Sequence, residues 1–204
     1  MKAELRLRIL SVLYKLPPFR AYAYKRLPRH RSGYKHYWVD DKSYTLGTKQ
    51  RIAELPAVDK HPTIKELRAA VDKYKPETVL EAGCGYGRLV EQLTPYYKID
   101  GADLAEEFVA QAKENGLSAF QLDLVSPDAV WLEAHAKHWD VAYCRAVFMF
   151  FIDHEEDTRN AMKTLERITK KKVLIWEWPH VCDYMKKTYP SDMFEYHPYP
   201  VTAG

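Results

Sequence analysis

Three groups of residues in this 204-residue chain have types and spacings that can do chemistry. The first is Glu81-Ala82-Gly83-Cys84-Gly85-Tyr86-Gly87, an acid followed by three glycines at alternate positions. Glycines spaced in this way let the backbone turn sharply and let its N–H groups approach a ligand closely, as a loop cradling a nucleoside must. The second is a pair of acids downstream, Asp103 and Asp123. Asp103 stands sixteen positions after Gly87, within the roughly 20-residue spacing of a carboxylate that accepts both hydroxyls of a ribose. The third is Arg145, whose guanidinium can hold a carboxylate or phosphate, with His180, the residue type most often used as a general base.

The elements that must position these residues are short apolar runs alternating with helical patterns. Val79 and Leu80 lead into Glu81 as a buried strand. Further strands are expected at Lys98 to Asp103, Ser118 to Leu122, Trp139 to Arg145 and Lys172 to Glu177, with Met193 to His197 as one terminal strand. Helices are expected at Tyr86 to Leu93, Ala105 to Glu114, Asp128 to His135 and His154 to Ile168. Ahead of the first strand, Thr63 and Glu66 have capping-box spacing, and Ile64, Leu67, Ala70 and Val71 form an apolar stripe. Such alternation predicts an α/β fold with a doubly wound, mostly parallel sheet, and places the glycine loop and both acids at the carboxyl edge of its strands. His180, after the fifth strand, falls on the same edge.

The run Glu-x-Gly-x-Gly-x-Gly, followed in order by the strands ending in Asp103, Asp123, Arg145 and Glu177, resembles class I S-adenosylmethionine-dependent methyltransferases over about residues 75 to 178. A dinucleotide fingerprint would carry its third glycine where Arg88 stands, which disfavours a nicotinamide-dependent oxidoreductase. The resemblance implies a Rossmann-like methyltransferase fold and S-adenosyl-L-methionine as cofactor, with S-adenosyl-L-homocysteine as product. It implies a cofactor-binding set of Glu81, Gly83, Cys84, Gly85, Gly87, Asp103, Leu104, Asp123, Leu124 and Arg145, with the glycine loop under the methionine part. Asp123 would contact the adenine amino group and Leu124 would pack on the ring. Glu81 would either reach the cofactor amino group through water or orient the loop. His180 is the candidate base and Arg145 the candidate anchor for a substrate anion; no metal is expected.

Other roles stay open for the same residues. Asp103 can cap the helix beginning near Glu106, and Asp123 can serve the turn before Ser126-Pro127-Asp128. Arg145 can pair with a neighbouring acid, and His180 can be an ordinary surface residue. Two departures from the family pattern stand out. A closing helix and antiparallel strand pair usually follow the fifth strand, whereas about 27 residues follow Glu177, so a shortened fold or a truncated chain is expected. Neither an Asn-Pro-Pro-Tyr motif nor a Pro-Cys pair is present, which argues against a base-modifying DNA enzyme.

Composition, at 47% hydrophobic and 29% charged, supports one globular domain. Three scattered cysteines, Cys84, Cys144 and Cys182, form neither a disulfide framework nor a metal site and suggest a reducing, cytoplasmic setting. No apolar run approaches the roughly 20 residues of a membrane span. Charge divides the chain: between Met1 and Tyr37 ten bases face the single acid Glu4, a net of +9 in a chain of +3, which leaves −6 on the rest. Residues 1–60 therefore read as a basic, aromatic extension or lid and 61–204 as the methyltransferase domain. The extension suits an anionic partner. A small-molecule or glycan-like acceptor is the first expectation, with an RNA substrate or a non-catalytic binding subunit as alternatives.

Overall fold

The computed structural model describes residues 62–150, 152 and 154–199. The expectations for the basic extension fall outside these residues. Helix α1 (Ile64–Asp72) opens on the expected capping box: the Glu66 amide donates to Thr63 Oγ1 at 3.2 Å, and the Thr63 amide donates to Glu66 Oε2 at 2.8 Å. Its stripe of Leu67, Ala70 and Val71 is buried, and each fully buried leucine or valine contributes about 1.5–3 kcal/mol. Strand β1 (Thr78–Ala82) leads through the glycine loop to α2 (Arg88–Leu93). There follow β2 (Lys98–Asp103), α3 (Glu106–Glu114), β3 (Ala119–Gln121), α4 (Ala129–Ala134), β4 (Trp139–Arg145), α5 (Glu155–Ile168), β5 (Thr169–Glu177), α6 (Pro179–Thr188) and β6 (Phe194–Pro198). A single 3-10 turn, Phe148–Phe150, lies between β4 and α5.

The six strands form one sheet in the order β3-β2-β1-β4-β5-β6, with every pairing parallel. Chain order reverses between β1 and β4, and in open α/β sheets the crevice at the carboxyl ends on either side of such a reversal is where ligands bind. Period-two alternation gives the strands two buried faces. One carries Val79, Val141, Tyr143, Leu174 and Trp176 beneath α1 and α2. The other carries Leu80, Ala142, Cys144, Val173 and Ile175 beneath Met162, Leu165 and Ile168 of α5 and Val181 and Met185 of α6.

Two elements differ from the sequence expectation. Strand β5 begins at Thr169 rather than Lys172, because Lys170 and Lys171 extend to the buried Asp140 carboxylate at 3.3 and 3.4 Å. The Asp140 carboxyl is held below its usual range, chiefly by the Glu77 amide that donates to it at 2.7 Å. The segment after Glu177, where no helix is among the expected elements, is the ten-residue helix α6, with Pro179 in its first turn. The terminal strand is present, and it runs parallel to β5. No antiparallel partner for it occurs among the described residues. The Tyr74 hydroxyl and Lys73 Nζ donate to Glu195, fastening β6 to the end of α1.

Candidate active site

The glycine loop is built partly by packing and partly around open space. Gly83 and Cys84 both donate their amides to Ala102 O, at 2.7 and 3.0 Å, and Gly87 donates to Cys84 O at 3.0 Å, closing the turn. A Cβ on Gly83 would lie 2.2 Å from Val147 Cγ2, and one on Gly87 2.4 Å from Leu117 Cδ1, so any other residue there would have to displace a packed side chain. Among the described residues a Cβ on Gly85 would meet nothing within 4 Å. Gly85 is therefore a crest under unfilled space, where backbone can be approached closely. Cys84 turns inward over Gly101, whose own Cβ would come within 2.8 Å of the Cys84 sulfur. Burial raises the Cys84 thiol far above its ordinary value, which leaves it a packing residue.

Asp103, the last residue of β2, fixes the loop. Its Oδ2 accepts from the Gly85 amide at 2.8 Å and its Oδ1 from the Ala105 amide at 2.9 Å. Capping and ligand reach are thus compatible, because each carboxylate oxygen can accept from more than one donor. Burial raises the Asp103 pKa, and the two amides oppose the shift. Next to it, Leu104 lines a cavity of about 440 Å³ together with Gln121, Leu122, Asp123 and Trp131. Asp123 Oδ1 accepts from the amides of Val125 at 3.0 Å and Ser126 at 3.3 Å, the turn role that the sequence left open. Leu124 packs into the core instead of lining the cavity, and Leu104 and Leu122 supply the apolar wall.

On the α1 side of the sheet, Glu81 is 3% exposed and stands in register with Tyr143 of β4. Burial pushes its carboxyl up to about 8, against the opposing pull of the Arg145 guanidinium and the Tyr143 hydroxyl. Among the described residues Glu81 Oε2 has no hydrogen-bond partner. A buried carboxylate oxygen left this way is costly unless something arrives to meet it. Arg145 ends β4 on the same face, opposite Trp176 of β5. The structure therefore gathers the glycine loop, Glu81, Asp103 and Arg145 at the carboxyl edge around the crossover between β1 and β4. His180 lies in the first turn of α6, directly after the carboxyl end of β5, and is exposed to solvent.

One residue of this edge was not among those singled out in the sequence. Glu177, at the end of β5, is fully buried, with its carboxyl pushed up to about 7 by burial against several backbone donors. Its Oε1 accepts from the Phe148 amide at 2.7 Å. An acid closing the apolar run Val173-Leu174-Ile175-Trp176 repeats the pattern of Glu81 after Val79-Leu80, which is the signal that could have found it.

Residues 79–172 match a family model described as a methyltransferase domain. Among solved structures, the chain resembles a TehB-like SAM-dependent methyltransferase from Corynebacterium glutamicum, at 17% identity and a TM-score of 0.54 over 72% of this chain and 84% of that one. It also resembles a putative S-adenosyl-L-methionine-dependent methyltransferase from Methanococcus maripaludis, at 16% identity and 0.52 over 74% and 73%. A third likeness is to the plantazolicin methyltransferase BpumL in complex with SAH, at 17% identity and 0.52 over 81% of this chain and 65% of that one. At these identities the likeness is one of fold. No match is found among curated proteins. Among the described residues no helix is long and apolar enough to cross a membrane.

Proposed function

We propose that this chain, a class I S-adenosylmethionine-dependent methyltransferase, delivers its methyl group to a small-molecule or glycan-like acceptor by in-line displacement. The observation that carries the reading is the single carboxylate of Asp103, which locks the Gly85 amide to the β2–α3 turn beneath open space. In this reading Asp103 meets the ribose hydroxyls, and the cavity walled by Leu104 and Leu122, with Asp123 at its margin, takes the adenine. The unmet oxygen of Glu81 faces the amino group of the methionine part. Arg145 balances a carboxylate, of the cofactor or of the acceptor.

When bound, S-adenosylmethionine supplies a methyl group on a positively charged sulfur. Its sulfur-to-methyl bond would break as the acceptor-to-methyl bond formed, with S-adenosylhomocysteine as the leaving product. The chain has to hold donor and acceptor about 3–3.5 Å apart and dry; little acid–base chemistry is compulsory. For a hydroxyl acceptor a base helps, and His180 on the exposed first turn of α6 is the one we assign, with its proton passing to the imidazole as the methyl arrives. The basic stretch at 1–37 favours a second reading, an RNA acceptor.

Transfer of labelled methyl to panels of small molecules, glycans and RNA, each at rising salt, separates the two. The first reading expects product on a small or glycan acceptor with little salt dependence. Product on RNA alone, falling steeply with salt as phosphate contacts are lost, would overturn it.

A further inference from the structure

The turn that follows β4 is held in a conformation its own sequence does not favour. Ala146, immediately after Arg145, has a φ of +55°, in the left-handed region that non-glycine residues adopt at a cost of about 1 kcal/mol or more. Something outside the turn must hold it there. Part of the hold is the Ala146 amide donating to Trp176 O at 3.0 Å. The remainder comes from the side chain next in line on β5. Glu177 Oε1 accepts from the Phe148 amide at 2.7 Å, with the Met149 amide at 3.4 Å, so one buried carboxylate gathers the start of the 3-10 turn. The side chain is 0% exposed, a costly position for an acid, which backbone donors including those of Phe148 and Met149 offset.

The consequence lies on the other side of the turn. Val147, between the strained Ala146 and the clamped Phe148, is the side chain whose Cγ2 would stand 2.2 Å from a Cβ on Gly83. Val147 therefore presses on the first glycine of the loop whose crest is Gly85. A continuous chain of contacts runs from Glu177 through Phe148 and Val147 to Gly83, linking the end of β5 to the loop beyond β1.

We infer that Glu177 is a positioning residue for the cofactor: it holds the Ala146–Phe150 turn so that Val147 sets the height of the glycine loop. The inference rests on the methyltransferase reading and assigns Glu177 no contact with cofactor or acceptor. Other residues at the end of β5 could fill the volume, but only one with a carbonyl or carboxylate oxygen at this reach satisfies the Phe148 amide.

The test uses the full chain and S-adenosylhomocysteine as probe, titrated calorimetrically into wild type, Glu177→Gln, Glu177→Met, Val147→Ala and the double variant Glu177→Met/Val147→Ala. Glutamine keeps the accepting oxygen, whereas methionine keeps only the volume, and neither leaves a cavity that would unfold the chain. The expected result is an affinity within about threefold of wild type for Glu177→Gln and about tenfold weaker for Glu177→Met. The losses in Glu177→Met and Val147→Ala should not add in the double variant, because both act through one contact. Binding by wild type with an unchanged affinity in Glu177→Met, or with fully additive losses, would overturn this inference alone. Absence of binding by the folded wild-type chain would overturn the methyltransferase reading and this inference with it.

Discussion

Replacing Gly85 and Gly87 by alanine, one at a time, separates a glycine required by packing from one required by a ligand. Both have positive φ, +54° at Gly85 and +84° at Gly87, and alanine in that region costs roughly 1–2 kcal/mol. At Gly85 the cost ends there, since an added Cβ meets no atom of the described residues within 4 Å. At Gly87 the Cβ would lie 2.4 Å from Leu117 Cδ1 and 3.2 Å from the Ala112 Cβ, so overpacking adds about 1–3 kcal/mol. For a domain of this size about 1 kcal/mol corresponds to roughly 2–4 °C of melting temperature. Gly85→Ala should therefore melt only a few degrees below wild type, and Gly87→Ala about 5–15 °C below. Binding should follow a different order. In Gly85→Ala the methyl occupies the space assigned to the cofactor, and calorimetry should show S-adenosylhomocysteine binding weakened at least tenfold in a well-folded protein. Wild-type affinity in Gly85→Ala would show that the open space above the crest is not where the ligand lies. Wild-type stability in Gly87→Ala would refute the packing argument.

A pH effect follows from Glu81. Its folded pKa is raised, to about 8 from 4.5, so folding favours the protonated form. The associated stability is fully present below about pH 4.5 and is lost as pH rises through 8. Glu81→Gln should accordingly match wild type near pH 5 and exceed it by a few kcal/mol near pH 9, measured by urea unfolding without ligand; a gap that does not grow with pH would contradict the burial argument. For His180→Ala, S-adenosylhomocysteine affinity should be unchanged, while methyl transfer to a hydroxyl acceptor falls about 10²–10⁴-fold. Transfer at the wild-type rate would remove His180 from the reaction.

The parts of the fold visible in the sequence are those specified by neighbouring residues. Thr63 and Glu66 form the capping box they spell, three positions apart. The alternate glycines after Val79-Leu80-Glu81 turn where they are read to turn, and Asp103 ends the strand it was expected to end, with its bond to Gly85 added by the fold. What escaped notice depends on partners far along the chain. Glu177 is bonded to an amide 29 residues before it, a partner that the apolar run ending in this acid does not specify. Cys84 is explained by Gly101 of the neighbouring strand, and the inward packing of Leu124 by the core beneath it. Helix α6 opens on Trp178-Pro179-His180, where proline by itself is a turn signal yet is at home in a first helical turn. The lysines opening β5 are polar in sequence and strand-forming in the fold because Asp140 receives their charges.

The central assignment is that the crevice between the glycine loop and Asp103 holds S-adenosylmethionine. Calorimetric titration of S-adenosylhomocysteine into the purified wild-type chain and into Asp103→Ala, with NAD in parallel, tests it most directly. The prediction is binding of S-adenosylhomocysteine and not of NAD by wild type, with affinity lost in a variant whose far-ultraviolet spectrum stays that of a folded protein. Undetectable binding to a folded wild-type chain, preference for the dinucleotide, or wild-type affinity in Asp103→Ala would contradict it.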